Sequence, residues 1–151
     1  MAHRFLETLE KDHEEVKGIL EKLESTSKTA VKGKEDLFMK LKQELIPHMK
    51  GEEKHLYPAL NSDKKAHKLA LEALEEHHVA ETVLKELDKL SKDAENWDAK
   101  LKVFKEIVQH HIEEEEEEVF EAAQDTLDEQ ELDEIMESFK KEKEKTKKKI
   151  K

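Results

Sequence analysis

Along most of this chain apolar side chains recur three and four residues apart, a spacing that only an amphipathic α-helix turns into one continuous face. Five such stretches are separated by STSKTAVKGK, by Pro58 with the following NSD, by the turn around SKDAENW, and by QDTLDEQ. They predict helices over residues 2–25, 34–59, 63–91, 97–123 and 128–146. With 44% charged residues, 5% aromatics, three Gly and two Pro, the composition suits such helices and starves a sheet of its preferred side chains. Short connections between long helices favour antiparallel neighbours. The expected fold is therefore all-α: an up-down-up-down four-helix bundle over residues 1–125, and an additional C-terminal helix with a basic tail over 126–151. That last helix carries the stripe Leu132, Ile135, Met136 and Phe139.

Charge narrows the partners. A net charge of -11 argues against nucleic acid, because phosphate contacts need clustered Lys and Arg. The one basic cluster, KKEKEKTKKKIK from Lys140, reads as a solvated helix end. The chain has no Cys, so thiol catalysis and iron–sulfur clusters are excluded and any metal must use His and carboxylates. The start MAHRFLETLEK lacks the apolar core of a signal peptide, and no apolar run approaches a membrane span. A cytoplasmic protein without membrane contact, monomeric or weakly oligomeric, is expected.

A repeat lies inside the helices. At an offset of 64, DHEEVKGILEKL from Asp12 aligns with EHHVAETVLKEL from Glu76, placing His13 over His77. At an offset of 63, HMKGEEKHLYPAL from His48 aligns with HIEEEEEEVFEAA from His111, so that Glu52 meets Glu115 and Tyr57 meets Phe120. The domain reads as a doubled helix pair. A carboxylate four residues after a His is common here, since five of the nine His have one, so spacing alone decides little. Register decides more. The stripe of the second helix runs Leu37, Leu41, Leu45, His48, Glu52, Leu56; that of the fourth runs Leu101, Phe104, Val108, His111, Glu115, Val119. The first and third helices likewise turn His13 and His77 inward. At about 1.5 Å of rise per residue these positions fall at one height, near the middle of the bundle.

A layer of four His and two Glu inside an apolar core is a defect without a cation, because burying an ionised carboxylate costs several kcal/mol and two of them repel. A divalent metal reverses the sign by pairing with the carboxylates and taking neutral imidazole nitrogens as ligands. The expected ligands are His13, His48, Glu52, His77, His111 and Glu115; if both Glu bridge two metals and each metal takes two His, each has four protein ligands. Imidazole and carboxylate with open positions suit two non-haem iron ions, with manganese or zinc as alternatives.

His13, then HMKGEEKHLYP with His48 and Glu52, then His77, then HIEEEEEEVF with His111 and Glu115, resembles the hemerythrin-like HHE cation-binding domains. Their pattern is His, His-x-x-x-Glu, His, His-x-x-x-Glu across four helices, and EExxLYP after the second His is typical of them. The resemblance spans residues 3 to about 125. It implies a hemerythrin-like bundle holding a carboxylate-bridged di-iron centre that binds or reacts with dioxygen, peroxide or nitric oxide. Oxygen-carrying hemerythrins have His-x-x-x-His on the third helix, whereas here Glu81 follows His77. Glu81 is thus a candidate seventh ligand, and a harder ligand set points to sensing, scavenging or iron handling rather than reversible oxygen carriage.

The remaining candidates are weaker. His78 and His110 are expected behind the ligands or on the surface; His55, His3 and His67 are expected at the surface. Glu53, Glu114 and Glu116 to Glu118 read as a solvated face. Tyr57 and Phe120 either shield the centre or simply pack, and Pro47 should kink the second helix. Glu-x-x-His pairs of the ferritin-like kind (Glu10 with His13, Glu52 with His55, Glu75 with His78) are not on two matching stripes. No hydrolytic constellation or phosphate loop is evident, so turnover, peroxidase-like or catalase-like, would belong to the metals. A second reading makes the C-terminal helix the reporter of site occupancy.

Overall fold

Helix α1 (Arg4–Ser25) opens where the His3 side chain accepts the Phe5 amide proton, and it buries Phe5, Leu6, Leu9, Val16, Ile19, Leu20 and Leu23 on one stripe. Helix α2 (Val31–Gly51) starts three residues before the predicted boundary. The expected break STSKTAVKGK runs to Lys34, yet the lone Gly33 within it costs a helix only about 1 kcal/mol, and a Lys32–Asp36 pair at 3.0 Å supports that first turn. The computed structural model describes residues 3–26 and 30–150, all of it helix or connection with no strand among them.

Two departures from regular helix matter for the site. The end of α2 widens into a π-helical turn (Glu52–Leu56) followed by a 3-10 turn (Tyr57–Leu60), with Pro58 in its first turn where no amide donor is needed. Helix α3 (Lys64–Lys89) begins at Asp63, whose carboxylate caps Ala66 N. Helix α4 (Trp97–Glu114) then widens in the same way through a π-helical turn (Glu115–Val119) before α5 (Phe120–Thr126) continues it. The two π turns lie at the repeat offset of 63 noted above. Helix α6 (Glu129–Lys149) starts with a reciprocal Asp128–Glu131 capping box and ends on Lys147–Lys149, whose charge suits a helix C-terminus.

The core is two apolar clusters rather than one. Phe5, Leu9, Leu56, Leu60, Ala70, Val119 and Phe120 belong to one; Val16, Leu20, Leu41, Leu84, Trp97 and Phe104 belong to the other. The buried polar residues His13, His48, Glu52, His77 and Glu115 separate them in sequence register, as a layer midway along the bundle should. Helix α6 places Leu132, Met136 and Phe139 in the first cluster and lies mainly against α2. It can approach closely because Gly51 has no side chain: a Cβ there would come 2.5 Å from the Phe139 ring.

Candidate metal centre

Six of the seven sequence-predicted residues meet at this layer. His13, His48, Glu52 and Glu115 form one quartet, and Glu52, His77, His111 and Glu115 form a second, each with one donor atom per residue within 4.8 Å of the others. Both carboxylates belong to both quartets. Glu52 and Glu115 are 0% and 1% exposed, and His13, His48 and His77 are no more than 2% exposed. Glu81 stands apart: its oxygens lie 3.6 Å from Lys50 Nζ and 3.5 Å from Lys85 Nζ, in neither quartet.

The orientation of each ring is fixed from behind. His13 Nδ1 pairs with Glu116 at 2.7 Å, His48 Nδ1 with Asp12 at 2.9 Å, His77 Nδ1 with Glu53 at 2.9 Å and His111 Nδ1 with Glu76 at 2.7 Å. Each carboxylate accepts a hydrogen bond from Nδ1–H, so each Nε2 faces inward with its lone pair free, as a ligand nitrogen must. Glu53 and Glu116 are therefore part of the site, contrary to the expectation of a purely solvated face; Glu117 and Glu118 are exposed as expected. The missed signal is positional. The acid directly before the inward His on α1 and α3, and the acid directly after the inward Glu at the π turns, repeat at the same offsets as the ligands.

Inside the layer the spacing suits cations. His13 Nε2 is 3.3 Å from Glu115 Oε1 and His111 Nε2 is 3.3 Å from Glu115 Oε2, so Glu115 turns one oxygen toward each quartet. Glu52 Oε1 lies 3.3 Å from both His48 Nε2 and His77 Nε2. Atoms sharing one metal at about 2.1 Å each sit about 3 Å apart, which is the separation here. His13 Nε2, His48 Nε2, Glu52 Oε2 and Glu115 Oε1 are buried with no hydrogen-bond partner, a cost that proteins rarely leave uncompensated. Without metal, protons must do the compensating. Burial depresses the His48 and His111 imidazoles, but Glu52 and Asp12 around the first, and Glu115 and Glu76 around the second, overcome it and push both up to about 10. Burial would raise Glu115, yet its contacts with Glu52, His111 and His13 hold it well below the usual carboxylate range.

Tyr57 is more than a shield. Its hydroxyl donates to Glu115 Oε2 at 2.6 Å and lies 3.3 Å from both Glu52 Oε1 and His77 Nε2. Burial first, then the two carboxylates, keep its phenol well above its ordinary value and hence protonated. The π turn is the reason it reaches: Tyr57 N–H bonds Glu52 O, five residues back, which brings Tyr57 onto the ligand face. Phe120 is set by the same kind of bond to Glu115 O and stacks on His13 with ring centroids 6.2 Å apart. Pro47 is buried within α2, five residues before its π turn.

On the other side, Val16, Leu45, Met49, Ala80, Val108 and Ile112 and the four imidazoles enclose a cavity of about 20 Å³. The other histidines do not reach the layer. His78 and His110 are exposed, and His55 pairs with Glu142 at 3.5 Å. His67 bonds Asn61, while His3, expected at the surface, is only 10% exposed because it bonds Asp133 at 2.7 Å. The basic C-terminal cluster is not wholly solvated either: Lys143 Nζ sits 2.8 and 2.9 Å from the two Asp12 oxygens.

No helix among the described residues is long and apolar enough to cross a membrane. No curated protein matches the sequence. Among solved structures, a hemerythrin HHE cation binding domain-containing protein from Mycobacterium kansasii, a homolog of Rv2633c, is 25% identical with a TM-score of 0.83, over 99% of this chain and 90% of that one. The model of the hemerythrin HHE cation binding domain matches residues 4–123, and that match shows that the chain belongs to this family.

Proposed function

We propose that this protein holds two iron ions between the quartets, with His13, His48, Glu52, His77, His111 and Glu115 as ligands, and that it binds, senses or reduces dioxygen, peroxide or nitric oxide. The observation that carries the reading is the sharing of Glu52 and Glu115 by both quartets, which gives each cation four protein ligands and leaves part of its coordination shell open. Bound iron supplies electrons and Lewis acidity. The chain's own residues do the rest. Glu116, Asp12, Glu53 and Glu76 hold the imidazoles in the ligand tautomer. The apolar cavity of about 20 Å³ has room for little more than one water-sized group, which selects a diatomic or peroxide and excludes larger substrates. Tyr57 holds a hydroxyl proton on Glu115, a carboxylate common to both quartets.

Metal analysis joined to an optical spectrum, before and after peroxide, tests this. The wild-type protein should carry two irons and change its spectrum with peroxide, and His48→Ala should lose metal. Full occupancy and an unchanged spectrum in His48→Ala would remove that residue from the ligand set. One contact favours the second reading, occupancy reported through α6: the Phe139 and His48 rings meet near-perpendicular with centroids 5.8 Å apart. Limited proteolysis with and without iron checks it, an unchanged pattern around residues 125–150 counting against it.

A further inference from the structure

The repeat makes Asp12 and Glu76 equivalent. Each directly precedes an inward His, and each accepts the Nδ1 proton of the His on the following helix, His48 or His111. Their outer surroundings are opposite. Glu76 has His110 and Glu114 as neighbours, so the carboxylate behind His111 backs onto another carboxylate. Asp12 lies under α6, where Lys143 Nζ contacts both of its oxygens at 2.8 and 2.9 Å. Phe139, one turn earlier on α6, packs against Gly51 and the His48 ring, with Lys143 Nζ 5.8 Å from its centroid. Helix α6 lies outside the matched family domain, so this arrangement is an addition to the ligand set rather than part of it.

We propose that Lys143 is a positioning residue for the metal held by His13 and His48: by gripping both oxygens of Asp12 it fixes that carboxylate on His48 and weakens its pull on the Nδ1 proton, so the two metal positions are electronically inequivalent. The inference rests on the two-metal reading above. A carboxylate that accepts the outer N–H of a ligand imidazole raises the basicity of the metal-bound nitrogen. An ammonium bonded to that carboxylate stabilises its charged form and makes it a poorer proton acceptor. Among the described residues no lysine or arginine pairs with Glu76, whose outer neighbours are Glu114 and the exposed His110, so His111 is the stronger donor of the two. The metal at His77 and His111 thereby favours the higher oxidation state, and the one at His13 and His48 the lower.

The test uses the full chain loaded with zinc, which is diamagnetic and lets the ring Nδ1–H resonances of His13, His48, His77 and His111 be followed by NMR. In Lys143→Met the His48 proton should move downfield, reporting a stronger bond to Asp12, while the other three stay in place and show that the fold is intact. Lys143→Arg should restore the wild-type position. Asp12→Asn, which keeps Lys143 and removes the anion, should move the same proton upfield. With iron in place of zinc, Lys143→Met should lower one of the two midpoint potentials, by about 59 mV if the ferric form is favoured tenfold. A His48 resonance unmoved in Lys143→Met, or shifts of one sign in both Lys143→Met and Asp12→Asn, would overturn the proposal. Uptake of fewer than two zinc ions by wild type would instead sink the two-metal reading itself, and the inference with it.

Discussion

The half of the centre built by α1 and α2 lies beneath α6, whereas the half built by α3 and α4 has no further helix over it among the described residues. Inside, the halves are nearly copies: His13 with His77, His48 with His111, Glu52 with Glu115, and each ring held by a carboxylate from the same relative position. Outside, they part. Gly51 under Phe139 corresponds to Glu114 at the surface, Asp12 on Lys143 corresponds to Glu76 beside Glu114, and Tyr57 corresponds to Phe120. The doubled helix pair fixes the four imidazoles and two carboxylates of the layer, and the unrepeated helix and one hydroxyl introduce the differences.

The largest effect should come from breaking what the halves share. Glu52→Ala removes a donor from both quartets, so metal content after dialysis should fall from two ions to none. His77→Ala touches one quartet only, and should leave one ion behind. If Glu52→Ala retained one tightly held ion, the carboxylate would not be common to the two halves. Next in size is the pH response of metal-free protein. His48 and His111 are raised from an ordinary value of 6.5 to about 10, so their stabilisation is complete below pH 6.5 and is lost as pH rises toward 10. Its Tm should fall over that window, while the metal-loaded protein, whose inner nitrogens carry metal rather than protons, should show little change. A flat Tm without metal would mean that the imidazoles are neutral in the folded chain.

A finer comparison replaces Glu53 and Glu116 by Gln. These residues play one role in two places, holding His77 and His13 from the second residue of each π turn. Each substitution should weaken metal binding about 10–100-fold, a typical cost for losing such a supporting carboxylate. The two losses should agree within a few-fold, by competition against a chelator. A large disparity would show that the halves differ in their inner support as well as in their covering.

Much of this architecture was legible in the chain because helical periodicity is a long-range signal: the stripe from Leu37 to Leu56 places the second helix even where its first residue is misjudged, and polar residues on that stripe mark themselves. His48 and Glu52 stand out for that reason. The carboxylates behind the rings do not, because Asp12, Glu53, Glu76 and Glu116 sit beside the stripe, where any soluble helix has acids, and only their recurrence at the ligand offsets separates them from solvated charge. The π turns were illegible from the stripe itself, since Leu56 and Tyr57 follow Glu52 by four and five residues and both are buried; an α-helix explains the first and only a widened turn explains the second. Lys143 was hidden by its neighbours: in a run of lysines nothing local tells which one a distant aspartate will hold.

The smallest effects come from testing the covering alone, with Gly51→Ala set against Glu114→Ala. A Cβ at position 51 would lie 2.5 and 2.7 Å from two carbons of the Phe139 ring, which is itself fully buried and edge-on to Phe5 at 5.3 Å, so the ring cannot swing away freely. Either α6 lifts or Phe139 leaves its preferred rotamer, and overpacking of this kind costs about 1–3 kcal/mol in denaturant unfolding. At Glu114 the side chain is 40% exposed, and its hydrogen bond to Glu76 and 3.6 Å contact with His110 are set against the like charge of Glu76, so truncation should stay within about 0.5 kcal/mol. Equal responses at the two positions would mean that α6 rests on the bundle without being packed into it, and that the covered half is no better defined than the open one.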